Sequence, residues 1–161
     1  EIVRLKVFRS GSAIHLSDVL PILRDHGVTV LDERPYRLRD ITRSMWIYDF
    51  GLALPEAVAS QSSNPSFGAR FEQSFLAAWR GETESDGLNR LVIEAGLDHR
   101  QVLVARALRR FMHQLGVRYS DAYFEQTLVG HAALVQLAVE LFRARFDPSA
   151  ADPERARRRF R

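Results

Sequence analysis

Alternating apolar and polar residues near the start of the chain predict a β-strand with one buried face. Residues 3 to 8 set Val3, Leu5 and Val7 against Arg4 and Lys6, which is the two-residue period of a half-buried strand. The pattern begins without an initiating methionine. We therefore expect the chain to be a segment of a longer protein.

A helix is predicted after the turn that ends this strand. Ser17 is placed to cap its N-terminus, and Pro21 is tolerated in a first turn. Gly27, which follows His26, is a suitable stop because glycine accepts the left-handed conformation at a helix end. The predicted inner face consists of Val19, Leu20 and Leu23.

Two further strands are predicted between residues 28 and 54. Pro35 indicates an edge strand or a bulge, because proline cannot donate a ladder hydrogen bond. Residues 45 to 54 are apolar on nearly both sides, which is typical of a central strand or of one whose outer face another subunit covers. One face carries Trp46, Tyr48, Phe50 and Leu52, and the other carries Met45, Ile47 and Asp49. We predict that Asp49 forms a structural ion pair with a neighbouring strand.

The hydrophobic period changes to that of a helix after residue 64. Asn64 is a suitable N-cap and Pro65 a suitable first residue, and the aromatic residues that follow recur every four positions. We predict that these aromatic residues pack on the sheet. They are Phe67, Phe71, Phe75 and Trp79.

Several helices are predicted beyond the polar turn at residues 81 to 87. One begins with Asp98 and Gln101, which are spaced as a capping box. Its predicted inner face consists of Val104, Leu108, Phe111, Met112 and Leu115. The order of elements predicts an α+β domain followed by an all-helical subdomain.

Composition narrows the classes of function. The hydrophobic fraction of 46% is sufficient for a packed core, and the lack of cysteine excludes disulfides and thiolate sites. We predict a cytoplasmic protein. No apolar run approaches the roughly 18 to 20 residues of a membrane span, and the five histidines lack the spacing of metal ligands. We therefore predict neither a membrane partner nor a metal site.

The positive charge is concentrated at the end of the sequence. Residues 154 to 161 hold five arginines and one glutamate, and subtracting this +4 from the net charge of +3 leaves −1 for the remainder. A nearly neutral body argues against nucleic acid as a partner. Residues 149–161 are predicted to be an Arg-rich tail or linker.

Several short segments resemble the very large bacterial NAD-dependent glutamate dehydrogenases. The order strand, helix, strand, strand, helix over residues 2 to 80 also resembles the ACT regulatory domain, whose pattern is βαββαβ. The resemblance to the dehydrogenases is carried by residues 16–21, 30–36, 46–52, 71–89, 106–110 and 139–148.

This resemblance implies an ACT-like, ferredoxin-like antiparallel sheet with helices on one face at residues 1–80, and a helical subdomain at 81–148. No fourth strand is predicted before Gly116. Either the sheet has three strands, or the fourth comes from outside the segment or from a partner.

The resemblance further implies a regulatory or assembly role in an enzyme that oxidatively deaminates glutamate to 2-oxoglutarate and ammonia with NAD. We predict no catalytic, cofactor-binding or metal residue here, because Lys6 is the only lysine and no Gly-x-Gly-x-x-Gly motif follows a strand. The expected partners are other domains and other copies of the enzyme. An independent amino-acid-binding or protein-interaction module is the alternative.

Two sets of candidate site residues follow from the resemblance. ACT domains bind amino acids near the loop after the first strand, which implies an effector site at Ser10, Gly11 and Ser12. The alternative is that Gly11 only turns the chain. The apolar strand at residues 45 to 54 implies an interface formed by Trp46, Tyr48 and Phe50.

Overall fold

The structure, a computed structural model, describes residues 2–39, 44–61 and 64–146. The predicted tail at 149–161 lies outside these residues. The first part contains strands β1 (Ile2–Ser10), β2 (Thr29–Arg39) and β3 (Ser44–Ala53), helices α1 (Leu16–Asp25) and α2 (Pro65–Trp79), and a 3-10 turn at Glu56–Gln61. A second 3-10 turn (Gly87–Arg90) leads into α3 (Leu91–Glu94), α4 (His99–Gln114), α5 (Asp121–Gly130) and α6 (Ala132–Phe146).

The strands form an antiparallel sheet in the order β1-β3-β2 within the described residues. The apolar strand is therefore central, as predicted, and β2 with Pro35 is an edge strand, as predicted. A bulge interrupts β2 between Val30 and Asp32, away from Pro35. Pairing of β1 with β3 is regular from Ile2 opposite Ala53 to Ser10 opposite Met45.

Helices α1 and α2 cover one face of this sheet, and the α+β, ACT-like architecture is confirmed. Phe67, Phe71 and Phe75 of α2 are buried in one core with Val19 and Leu23 of α1 and with the central strand. The predicted aromatic stripe of α2 is thus a packing face. Asn64 caps α2, as predicted, by accepting a hydrogen bond from the backbone N–H of Ser66 at 3.0 Å.

Three predictions about α1 are wrong. Pro21 lies inside the helix, beyond its first turn. The N-cap of α1 is His15, which makes no side-chain capping bond, and Ser17 lies inside the helix with its hydroxyl near Asp18. Leu20 is exposed, whereas Val19 and Leu23 are the residues of α1 that are buried. The predicted stop is confirmed, since Gly27 adopts a left-handed φ of +80° directly after the helix.

The helical part has its own core, formed around Leu88, Leu91, Val102 and Val139. The capping box of Asp98 and Gln101 at the start of α4 is confirmed. The predicted inner face of α4 is wrong except at Val104, which is half-buried against this core. The residues of α4 that are buried are Val102, Ala105, Arg106 and Arg109, whereas Leu108, Phe111, Met112 and Leu115 are exposed.

Candidate assembly surface and the predicted effector loop

The face of the sheet that points away from α1 and α2 carries an exposed apolar surface. Residues directly opposite each other on neighbouring strands share a face. One such row is Phe8, Ile47 and Tyr36, and the next is Ser10, Met45 and Leu38. We call Phe8, Tyr36, Leu38, Met45 and Ile47 the outer apolar patch. Apart from the half-buried Ile47, its members are exposed.

An ion-pair group borders this patch on the same face. The guanidinium of Arg4 donates from Nε to Asp49 Oδ1 at 2.9 Å and from Nη1 to Asp32 Oδ1 at 2.7 Å. Hydrogen bonds to Asp49 and then to Asp32 raise the pKa of Arg4 above its ordinary value. Arg4 thereby links all three strands. The predicted structural ion pair of Asp49 is confirmed.

The predicted interface residues lie on the opposite face, and the structure corrects that prediction. Phe50 is 0% and Tyr48 4% exposed, because both pack against α1 and α2 in the core. Tyr48 also accepts a hydrogen bond from the backbone N–H of Ile14 at 2.8 Å. Trp46 is half-buried with the guanidinium of Arg37 over its ring. These side chains fix α1 and its preceding loop to the sheet and offer little surface to another copy.

The predicted effector loop lies at the end of β1, beside the outer apolar patch. Ser10, Gly11 and Ser12 are exposed. Gly11 has a φ of +95°, and its amide donates to the carbonyl of Ser44 at 2.9 Å. The turn requires a positive φ at Gly11, and this requirement alone explains why the residue is glycine. Effector binding at Ser10, Gly11 and Ser12 stays a prediction.

A buried arginine network that the sequence reasoning missed connects α4 to the turn at residues 83 to 89. Arg106 is 3% exposed and donates to Asp86 Oδ1 at 2.9 Å, to the carbonyl of Glu84 at 2.9 Å and to Thr83 Oγ1 at 3.0 Å. It also donates to Asn89. Asp86 additionally caps the 3-10 turn through the amide of Leu88. The two segments of resemblance at 84–89 and 106–110 are therefore in direct contact.

Arg109 extends this network to α5. Its Nη1 donates to Glu125 Oε1 at 3.1 Å, and its Nη2 lies 3.6 Å from Asp86 Oδ2. Burial, followed by the nearby charge of Asp86, raises the pKa of Glu125 above its ordinary value. The sequence signal for this network is the spacing of its arginines. Arg106 and Arg109 are three residues apart on one helix and therefore lie on the same side of it. The groups are paired with one another, which is the arrangement of a structural network.

Among the described residues, no group of three or more His, Cys, Asp or Glu side chains is arranged to hold a metal ion. No single helix in that part of the chain is long and apolar enough to cross a membrane. Helices α5 and α6 have the length and apolar composition of a membrane span only when they are taken together, and their axes are bent by 93° relative to each other.

The fold defines the class of the protein as an ACT-like α+β domain followed by a helical subdomain. Two parts of the chain match known families. Residues 1–64 match the family described as "Glutamate dehydrogenase, ACT3 domain", and residues 83–148 match "Glutamate dehydrogenase, helical motif 3".

Relatives identify the family over most of the chain. Proteins named NAD-specific glutamate dehydrogenase from Halomonas elongata, Mycobacterium tuberculosis and Pseudomonas aeruginosa are 38%, 36% and 35% identical to it. These matches cover 91%, 91% and 88% of this chain but 9% of each relative. The chain belongs to the NAD-specific glutamate dehydrogenase family, as a segment containing the third ACT domain and the third helical motif.

Proposed function

We propose that this chain is a regulatory and assembly segment of an NAD-dependent glutamate dehydrogenase. The parent enzyme would oxidise L-glutamate to 2-oxoglutarate and ammonia while NAD is reduced. Support comes from the names of the relatives and from the two matched domains. We assign the catalytic residues and the NAD site to the rest of the enzyme, and we keep residues 1–80, 81–148 and 149–161 as its proposed units.

The observation that carries the assembly role is the outer apolar patch. Four of its side chains are exposed on one end of a sheet whose other face packs against α1 and α2. A large apolar surface of this kind marks an interaction site. We propose that another domain or another copy of the same enzyme covers it, in a cytoplasmic homo-oligomer.

The helical part supports the same role with a second apolar surface. Leu108, Phe111, Met112 and Leu115 recur at helical spacing along the exposed side of α4. Such a stripe is the surface by which one helix packs on another. Because the arginine network holds the opposite side of α4, the stripe is directed outward in a fixed orientation.

The test replaces two patch residues in the full-length enzyme, as the double variant Tyr36→Asp and Leu38→Asp. We expect dissociation at enzyme concentrations at which the wild type stays assembled, measured by light scattering across a dilution series. Leu20→Asp on α1 is the control, because Leu20 is exposed on the helix-covered side. An assembly state that is unchanged by the double variant at every concentration would contradict the role of the patch.

The regulatory part of the proposal concerns an amino-acid effector at Ser10, Gly11 and Ser12. Helix α1 begins five residues after Gly11, and a helix N-terminus favours a carboxylate. A thermal-shift screen of the common amino acids should show stabilisation that rises with ligand concentration, as binding linkage requires. Ser12→Trp should abolish that shift. A flat response to all amino acids would leave the segment with the assembly role alone.

A further inference from the structure

An apolar groove lies between strand β1 and helix α2. Its volume is about 560 Å³, and one wall is the length of β1 from Val3 to Phe8. The other wall is the side of α2 from Phe67 to Leu76 that faces β1. The groove floor is apolar, formed by Leu52, Leu54, Phe71 and Phe75, while Arg4, Lys6 and Glu72 stand at its rim. Helix α2 thus extends past the edge of the sheet and leaves room beside β1.

The backbone of β1 is unpaired along this groove in the described part of the structure. The amide of Gly11 donates to the carbonyl of Ser44, so Gly11 and Ser44 are a hydrogen-bonded pair in the register of β1 with β3. Such pairs alternate along an antiparallel ladder. The residues of β1 that bond to β3 are therefore Val3, Leu5, Val7 and Arg9. The backbone groups of Arg4, Lys6 and Phe8 point into the open edge.

The two edges of the sheet differ in how they resist further pairing. Edge strands that stay unpaired are usually short, bulged or interrupted by proline. Strand β2 has both a bulge next to Asp32 and Pro35. Strand β1 has nine residues in regular register with neither feature. The β2 edge is therefore protected from pairing, whereas the β1 edge, which carries Arg4 and Lys6, is suited to a strand that brings acidic side chains.

We propose that the groove binds a β-strand from another part of the same enzyme polypeptide, outside residues 1–161. The strand pairs with the open backbone of Arg4, Lys6 and Phe8. Its alternate side chains are apolar and fill the space over Phe71 and Phe75, while those between them are polar or acidic and face Arg4 and Lys6. The inference rests on the proposed function only in taking the strand from the parent enzyme.

Charge favours this occupant over the β1 strand of a second copy. Two antiparallel β1 strands would bring Arg4 and Lys6 of one copy alongside the same residues of the other. Like charges on neighbouring strands are destabilising. The chain spans 9% of its relatives, so most of the enzyme is available to supply the strand.

The first measurement is hydrogen exchange at single-residue resolution, on the 161-residue chain and on the full-length enzyme. In the chain alone, the amides of Leu5 and Val7 should be protected, and those of Arg4, Lys6 and Phe8 should exchange freely. In the enzyme, the second set should slow by at least about a hundredfold, because strand pairing protects amides. Free exchange of Arg4, Lys6 and Phe8 in the full-length enzyme would overturn the proposal.

A groove-filling variant tests where that protection arises. Gly68 lies on α2 at the groove, and a side chain added there meets no atom of the chain within 4 Å. Gly68→Leu should therefore keep the chain folded but restore free exchange of the three edge amides in the enzyme. Gly68→Ala is the matched control and should retain their protection.

Two other outcomes would also reject the proposal. If the amides of Arg4, Lys6 and Phe8 stay protected in Gly68→Leu, the contact that protects them lies outside the groove. Edge protection already present in the 161-residue chain and rising with its concentration would identify a second copy as the occupant. If the double variant of Tyr36 and Leu38 does not alter assembly, the role of the outer apolar patch is contradicted. The proposal of a strand in the groove is not affected by that outcome.

Discussion

The Nε2 atom of His26 lies 2.8 Å from the hydroxyl oxygen of Ser74, and this contact joins α1 to α2 in the core. The other ring nitrogen, Nδ1, lies 2.7 Å from the carbonyl oxygen of Ile22 and must donate to it. A neutral ring then accepts the Ser74 hydroxyl hydrogen at Nε2. His26 is 0% exposed, and burial lowers its pKa below the ordinary value.

This burial makes the stability of the chain depend on pH. The unfolded chain protonates His26 near pH 6.5, whereas the folded chain holds the ring neutral to lower pH. The unfolded state therefore binds more protons as pH falls below about 6.5, and the free energy of unfolding drops by up to about 1.4 kcal/mol per pH unit. The loss ends below the folded pKa.

His26→Gln should remove this dependence, because glutamine does not titrate. Urea unfolding between pH 7.5 and 5.5 gives the free energy of unfolding, and the wild type should lose stability more steeply than the variant. His15→Gln, at an exposed histidine, should follow the wild type. Equal slopes for wild type and His26→Gln would show that His26 protonates without cost.

The two faces of the sheet should respond differently to loss of an aromatic ring. Phe50→Ala removes a fully buried ring and should lower the free energy of unfolding by about 3–5 kcal/mol. Tyr36→Ala removes a ring that is 49% exposed, and the expected change is within about 0.5 kcal/mol. Chemical unfolding of both variants measures the difference. If Phe50→Ala and Tyr36→Ala lower the free energy of unfolding by similar amounts, other residues of the same chain must cover the outer face of the sheet.

The order and type of the elements were predictable from the sequence, because strand alternation, aromatic spacing and glycine stops are local signals. The inner face of α4 was not. Its apolar stripe has the correct helical period, yet Arg106 and Arg109 turn inward because Asp86 and Glu125 meet them from other elements. A single helix's pattern carries no information about a carboxylate twenty residues away.

The orientation of the central strand was undetermined for a related reason. Trp46, Tyr48 and Phe50 alternate with Met45 and Ile47, so both faces of β3 are apolar. The residues of β1 and β2 decide which of these two faces is buried. Arg4 and Asp32 stand opposite Gly51, and their ion pair favours a face open to solvent, because burying charged groups is costly.

Gly51 should be required for that ion pair. A side-chain carbon at this position would lie 2.6 Å from Asp32 Oδ2 and 2.7 Å from Arg4 Nη1, so both groups must move. Gly51→Ala should therefore separate Arg4 from Asp32. Because exposed ion pairs contribute about 0–1 kcal/mol, the free energy of unfolding should change by no more than about 1 kcal/mol.

A double-mutant cycle measures this separation. The coupling energy between Arg4→Ala and Asp32→Ala should be detectable in the wild-type background and vanish in Gly51→Ala. The pair of Arg109 with Glu125, which joins α4 to α5, is the control, because neither residue approaches the added carbon. An undiminished Arg4 to Asp32 coupling in Gly51→Ala would refute the proposed crowding.

Arg106 and Arg110 offer a matched comparison of a buried and an exposed arginine. Both lie on α4 and both pair with Glu84, but Arg106 is buried and Arg110 is exposed. Arg106→Met removes a buried donor from Asp86 and Asn89, although Asp86 keeps the amide of Leu88 and the nearby Arg109. Breaking a buried pair in this way costs about 3–5 kcal/mol, whereas loss of an exposed pair costs about 0–1 kcal/mol. We therefore expect Arg106→Met, and not Arg110→Met, to destabilise the helical part.

Thermal unfolding followed by helical circular dichroism gives the comparison, and the choice of methionine keeps most of the apolar stem in place. If Arg106→Met alone costs no more than Arg110→Met, the buried network contributes little to folding. Its two arginines would then be better explained by contacts made only in the assembled enzyme.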